Sequence, residues 1–373
     1  MQARVGILGA GQLGRMLALA GYPLGIECVL LDRDERSPGA QVARFKAAAL
    51  DDAEAAASLA AEVDVVTVEI ENVPADVLRA AARHAPVHPP PDAVAAAQDR
   101  LAEKELFRSL GIPTTPFVRV DTSHDLDRAH RELGLPLVLK ARRMGYDGRG
   151  QRIVRNAEEL HGAWSALGEV PAIAEAWVDF DRELSLVAVR GANGQRAFYP
   201  LSENVHRDGI LRISVAPFED ERLQRNAEER VDALMQRLDY RGVLALEFFH
   251  ANGELLANEM APRVHNTGHW TIEGAVTSQF ENHLRAVLGW PLGDASPRGH
   301  AAMVNLLGNP PPLDALLSLP GVHVHLYGKS PRPGRKIGHC TIVDPDRRRL
   351  LERLAALTNV IEVSLPNPTP RNP

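Results

Sequence analysis

Along the first hundred residues, short apolar runs alternate with glycine-rich or alanine-rich stretches. Val5 to Leu8 is apolar, runs into Gly9-Ala10-Gly11-Gln12-Leu13-Gly14, and continues as a helical pattern through Leu17 and Ala20. A second strand-like run, Cys28 to Asp32, completes a β-loop-α-β unit. An alanine-rich helix near Ala53 to Glu62, a buried strand from Val63 to Ile70 and a helix opened by Pro74 repeat the theme. This alternation predicts an α/β unit with a parallel, doubly wound sheet. The stiff, proline-rich stretch Pro86 to Pro91 predicts a boundary just beyond it, ahead of a helix carrying Arg100 and Lys104.

After Pro136 the pattern changes. Short strands are expected at Leu137 to Ala141, Ala172 to Trp177, Leu184 to Arg190 and Arg196 to Tyr199, an α+β region with antiparallel pairing. Asn252-Gly253, between the runs Gly242 to His250 and Glu254 to Ala261, is a hairpin signal, and a helix from Ser278 to Leu288 follows. The last eighty or so residues read as a small appended lobe. Its closing stretch, Leu365 to Pro373, holds four prolines and is expected to be irregular.

Composition narrows the class. At 373 residues the chain is too long for one ordinary core, and 45% apolar with 24% charged residues is a globular balance. Nothing approaches the eighteen apolar residues of a bilayer span, so no membrane partner is expected. A net charge of −6 argues against a nucleic-acid surface and leaves small molecules as partners. Cys28 and Cys340 stand far apart without metal-type spacing, and the glycine-cut amino terminus is unlike a signal peptide. Both features predict a cytoplasmic protein.

Three glycine or acidic features carry candidate chemistry. Gly9, Gly11 and Gly14 sit between a strand and a helix, where backbone N–H groups favour an anion such as a phosphate. Asp32 keeps a dinucleotide reading open, and a plain tight turn is the other alternative. Gly145 and Tyr146-Asp147-Gly148-Arg149-Gly150 follow the strand ending near Lys140 and precede another strand, as a loop folding over a polyphosphate would; a hairpin turn is the alternative. Glu247 and Glu259 each interrupt an apolar strand of the hairpin, with Asn258 beside the second, and a divalent cation such as magnesium would offset their charge. That reading makes a geometric demand. A two-residue loop at Asn252-Gly253 would put the two glutamates on opposite faces, whereas a three-residue loop, Asn252 to Glu254, with a bulge would restore one face; one glutamate facing solvent is the remaining alternative.

Polar runs follow. Arg263, His265 and Asn266, in Ala261-Pro262-Arg263-Val264-His265-Asn266-Thr267-Gly268-His269-Trp270, suit a small planar oxyanion, while His269 fits a packing role beside Trp270. Lys329, Arg332, Arg335 and Lys336 form a basic cluster fit for a phosphate, or simply a solvated loop.

The order of these pieces resembles the ATP-grasp superfamily. Gly9 to Met16, Glu69-Ile70-Glu71-Asn72-Val73-Pro74, Gln98-Asp99-Arg100, the Tyr146 loop and Asn258 to Asn266 are similar to the 5-(carboxyamino)imidazole ribonucleotide synthetase family within it. The resemblance spans Val5 to His339. It implies an ATP-grasp fold in which a Rossmann-like pre-ATP-grasp sheet (1–98) precedes the ATP-grasp domain (99–300) and a small C-terminal lobe (301–373). Within the second unit, 99–178 would include the lid lobe and 179–300 the metal-binding lobe. The implied activity is a carbon-nitrogen ligase of purine biosynthesis. ATP phosphorylates bicarbonate, and 5-aminoimidazole ribonucleotide takes up the carboxyl group, with Mg2+ or in its place Mn2+ as cofactor and a homodimer as assembly.

By the same resemblance, Arg100, Lys140, Gly145 to Gly150 with Tyr146, Asp147, Gly148 and Arg149, Glu175, Val178, Glu183, His206, Asn258 and Glu259 surround ATP. Glu247 and Glu259 hold the metal. Arg263, His265 and Asn266 hold bicarbonate. Gln12, Glu71, Tyr146, Asp147, Arg149, Lys329, Arg335 and Lys336 meet the ribonucleotide, with the first glycine loop near its phosphate. Two positions depart from wider patterns: Met144, where the family commonly has glycine, and Ala261, where many ATP-grasp enzymes carry asparagine.

Overall fold

The computed structural model describes residues 2–145 and 150–362. Its first unit is a parallel sheet of four strands in the order Arg44–Ala47, Glu27–Asp32, Arg4–Leu8, Val65–Val68. Alternate residues feed opposite faces: Val5 and Ile7 pack with Leu13, Met16 and Leu17 of the helix Gln12–Gly21. Leu8, Val66 and Val68 pack with Leu59 and Leu78 from the helices Ala53–Ala60 and Ala75–Ala81. A sheet covered on both sides needs strands that are apolar throughout, which is why this part of the pattern was readable. The edge strand Arg44–Ala47 is half-exposed and carries no such run.

Pro86 to Pro91 is not a free linker. The Val66 N–H donates to the Pro86 carbonyl and the His88 N–H to the Val66 carbonyl, each at 2.8 Å, so the stretch lies along the sheet edge. Proline is tolerated there because an edge position has no further ladder to supply. Pro91 then opens the helix Pro91–Ala97.

The next sheet is antiparallel, ordered Phe117–Val120, Ala172–Ala176, Leu137–Ala141, Gln151–Val154. A nine-stranded antiparallel sheet follows, its path running Glu254–Ala261, Gly242–Ala251, Arg182–Arg190, Ser202–Arg207, Ile210–Ala216, His300–Leu307, Lys336–Asp344, Val322–Leu326. Arg196–Phe198 pairs beside Arg182–Arg190. The carboxy-terminal strands therefore continue the sheet of the glutamate hairpin, because His300–Leu307 is apolar on both faces. Ala301 and Met303 join one core cluster, and Ala302, Val304 and Leu306 another. Among the described residues no helix is long and apolar enough to cross a membrane.

Candidate active site

The hairpin meets the geometric demand by a route other than the one anticipated. Ala251 pairs with Glu254, so the loop is the two residues Asn252 and Gly253, both at positive φ (52° and 78°). From the turn inward the register runs Phe248 to Ala257, and beyond it Leu246 to Met260. The bulge therefore lies in mid-strand, where Asn258 and Glu259 together stand opposite Glu247. The three-residue loop expected at Asn252 to Glu254 is thus replaced by a tight turn and a displaced bulge, and the glutamates face one another. Burial, and then Glu259, raise the Glu247 carboxyl well above the usual carboxylate range.

Around this pair the predicted residues stand in linked pairs. Arg100 Nη1 donates to Glu259 Oε2 (3.1 Å) and Nη2 to the Gly145 carbonyl (3.2 Å), linking the hairpin to the start of the glycine loop. His265 Nε2 stands 3.3 Å from Glu247 Oε1, and its Nδ1 is 2.9 Å from Thr267 Oγ1. Burial and the nearby Arg263 lower His265 to about 3, so its ring is neutral. Arg263 Nε donates to Glu71, and Arg263 Nη1 to the Val264 carbonyl at 3.1 Å. Burial alone would raise Glu71, but Arg263 outweighs it and lowers the carboxyl to about 2.

The backbone of this run is held from outside. Gln279 Oε1 accepts from the His265 N–H (2.9 Å) while its Nε2 donates to the His265 carbonyl (2.6 Å), a latch the sequence reading missed. Asn266 is different: neither its Nδ2 nor its Oδ1, both buried, has a hydrogen-bond partner among the described residues. His269 packs between Phe280 and His339 at centroid distances of 5.6 and 4.9 Å, the structural role expected of it.

A second cluster occupies the antiparallel lobe. Lys140 Nζ donates to Glu175 Oε2 (2.7 Å), and the wholly buried Lys104 reaches within 3.7 Å of Glu175 Oε1. Burial would raise Glu175, but Lys104 and Lys140 together lower it to about 2. Lys104 is itself placed by Thr114 Oγ1 (2.9 Å) and the Ala257 carbonyl (3.2 Å). Glu103, one residue earlier, accepts from the Met260 N–H (2.6 Å) beside the bulge. Asp99 caps the helix Arg100–Ser109 and takes Arg142 Nε and Nη2 at 2.9 and 2.6 Å, tying Arg100 to the strand of Lys140. Opposite, His206 Nδ1 lies 2.8 Å from Glu183 Oε2, and that bond outweighs burial to raise His206 to about 9.

The first glycine loop departs from expectation. Glu69 Oε1 accepts from the Gly11 N–H (2.7 Å) and Oε2 from the Gly14 N–H (3.0 Å), so the protein's own carboxylate fills the anion cradle at the helix start. Asp32 accepts from the Ala10 N–H at 3.0 Å and is committed to the loop as well. The groups that a dinucleotide pyrophosphate and ribose would use are taken. Gln12, just past the cradle, accepts a hydrogen bond from Lys329, which brings the carboxy-terminal basic cluster to the sheet end. Arg335 Nη1 donates to the Ser330 carbonyl (3.1 Å) beside it, and Lys336 opens the strand Lys336–Asp344. Tyr146, Asp147, Gly148 and Arg149 lie outside the described residues.

Comparison with known proteins agrees over most of the chain. Residues 1–98 match the ribonucleotide synthetase preATP-grasp domain, 105–280 the ATP-grasp domain, and 301–353 the phosphoribosylaminoimidazole carboxylase C-terminal domain. The N5-carboxyaminoimidazole ribonucleotide synthase of Pseudomonas aeruginosa is 48% identical over 359 residues, covering 96% of this chain and 99% of that protein. The crystal structure of the Thermus thermophilus synthetase superposes with a TM-score of 0.93 at 52% identity, covering 97% of this chain and 99% of that one. The Aspergillus clavatus synthase, in complex with ADP and 5-aminoimidazole ribonucleotide, superposes with a TM-score of 0.90 at 32% identity over 97% of this chain and 99% of its own. The chain belongs to the N5-carboxyaminoimidazole ribonucleotide synthase family of ATP-grasp ligases.

Proposed function

We propose that this protein uses ATP and bicarbonate to carboxylate 5-aminoimidazole ribonucleotide, giving N5-carboxyaminoimidazole ribonucleotide, ADP and phosphate. The observation that carries the reading is the set of three half-buried pairs Glu71 with Arg263, Glu247 with His265 and Glu259 with Arg100, brought together by the hairpin and the polar run that follows it. ATP lies against Lys140, Glu175, Glu183, His206, Asn258 and Val178, with Arg100, Gly145 and Gly150 beside it. Glu175 Oε1 is buried without a hydrogen-bond partner among the described residues, and a ligand donor would satisfy it.

The donor set at the hairpin fits magnesium. Two facing carboxylates supply hard oxygen ligands, and a divalent cation would offset both the burial and the neighbouring Glu259 that raise Glu247. With two carboxylates from the protein, the remaining ligands would be phosphate oxygens and water. Once bound, magnesium would neutralise charge on the transferring phosphoryl group.

Bicarbonate fits Asn266, whose amide offers the donor nitrogen Nδ2 and the acceptor oxygen Oδ1 to an anion that has both an oxyanion and a hydroxyl edge. Arg263, with Nε and Nη1 engaged, presents Nη2 to the same ligand, and neutral His265 orients it without competing for the metal's charge. A bicarbonate oxygen attacks the γ-phosphorus and the bond to ADP breaks. The acceptor amine then attacks the carboxyl carbon, losing a proton as phosphate leaves. Carboxyphosphate decomposes quickly in water, so the acceptor must already be held, by Gln12, Glu71, Lys329, Arg335 and Lys336. Domain limits of 1–98, 99–300 and 301–373, a cytoplasmic setting and a homodimer complete the proposal on the strength of the family resemblance.

ADP release with each of bicarbonate, the ribonucleotide and magnesium omitted in turn tests the reading. Turnover should require all three, and turnover indifferent to bicarbonate and ribonucleotide would reject it.

A further inference from the structure

The helix Gln12–Gly21 begins without a cap of its own. Gly11 offers no side chain, and no acidic residue lies in the first turn. Its partner comes from the end of another strand, as Glu69, 58 residues from Gly11, fills the cradle with a buried carboxylate. The glycines exist for this contact: a Cβ on Gly11 would lie 2.7 Å from Glu69 Oε1, and one on Gly9, at φ +103°, 2.5 Å from Glu69 Cγ. The loop has been built around an internal anion.

Three acceptor-site residues hang on that anion. Gln12 follows directly on Gly11, whose N–H Glu69 receives. Glu71 is two residues along the same strand end, where Gln98 Nε2 also clamps the Glu71 and Val73 carbonyls at 2.6 and 2.7 Å. Lys329 arrives from the carboxy-terminal part to donate to Gln12, and Glu69 is the carboxylate whose charge favours its protonated form against burial. Strand end, helix start and basic loop thus meet at one side chain.

We infer that Glu69 is a positioning residue for the acceptor ribonucleotide: it touches neither ATP nor bicarbonate, and it fixes where Gln12, Glu71 and Lys329 stand. This rests on the acceptor-site reading above. A group that merely stabilised the fold would affect all substrates alike. A positioning residue at this place affects one, on the scale of the tenfold to hundredfold losses that follow removal of a supporting hydrogen-bond partner.

The test is steady-state ADP release by Glu69→Gln and Glu69→Ala, varying each substrate separately. In both variants the KM for the ribonucleotide should rise by about tenfold or more while those for ATP and bicarbonate stay within about twofold. Acetate should lower the raised KM in Glu69→Ala, whose cradle is open to a small carboxylate, and leave Glu69→Gln unchanged. An unaltered ribonucleotide KM, or a parallel rise in all three constants that acetate does not reverse, would overturn the inference. Glu69→Gln preserves the side-chain shape and keeps the test valid if the alanine variant does not fold. Wild-type protein that turns over without the ribonucleotide would reject the acceptor-site reading itself, a separate outcome.

Discussion

Asn266→Ala separates binding from stability. The amide makes no hydrogen bond to the described protein, so its removal breaks none, and the folded state should change by no more than about 1 kcal/mol. Activity should respond very differently. If the amide gives one hydrogen bond to each edge of bicarbonate, two bonds to an anion are lost, each worth roughly 1.5–3 kcal/mol. Their sum, about 3–6 kcal/mol, corresponds to a fall of roughly 10² to 10⁴ in kcat/KM for bicarbonate. Coupled ADP assays across bicarbonate concentrations measure the second quantity and urea denaturation the first. A variant destabilised by more than about 2 kcal/mol with an unchanged bicarbonate constant would mean that Asn266 is a structural residue.

Other perturbations read other parts of the account. Glu259→Gln removes a proposed metal ligand and the partner of Arg100, and should raise the magnesium concentration needed for half-maximal ADP release at least about tenfold; an unchanged titration would remove the hairpin from the metal site. Met144 holds φ 63° with its side chain in solvent, so Met144→Gly should leave the protein equally stable or up to about 1 kcal/mol more stable in urea, and a clear loss would contradict that strain. Buried His283 accepts from the Val243 N–H at Nδ1 (3.1 Å) and keeps its proton on Nε2 toward Thr67 (2.7 Å); burial lowers it to about 3. Its folded value lies below the unfolded one, so the unfolded chain takes up the proton first as pH falls. Stability is complete above about pH 6.5 and declines below it, by about 1.4 kcal/mol from this residue at pH 5.5. Urea midpoints from pH 8 to 5.5 should show the decline, and His283→Gln should make it shallower; an unaltered slope would refute the assignment.

Much of the fold was legible because the parallel sheet buries both faces and must be written in uninterrupted apolar runs. The edge strand Arg44–Ala47 escaped because Arg-Phe-Lys-Ala, half in solvent, carries no period. The hairpin shows the limit more sharply. Chemistry required Glu247 and Glu259 on one face, which called for a bulge, but only the pairing of the two strands decides that it falls at Asn258 and Glu259 and not at the turn. Glu69, Glu103 and Lys104 were overlooked as actors because they reach partners far along the chain, 58 residues away for Gly11, 157 for Met260 and 153 for Ala257, and Gln279, 14 residues from His265, because its bonds go to backbone that carries no side-chain signal. Glu69 did leave a trace, as an acid directly after the buried strand Val65–Val68 and two residues before another acid. Such a charge asks for a partner, and the glycine loop was the available one.

The most direct test of the central claim follows oxygen. With bicarbonate labelled by ¹⁸O, attack of its oxygen on the γ-phosphorus must carry one label into the inorganic phosphate, visible as an isotope shift in the ³¹P spectrum. One ¹⁸O per phosphate formed, only when the aminoimidazole ribonucleotide is also present, is the predicted result. Phosphate that carries its new oxygen from water would contradict the account.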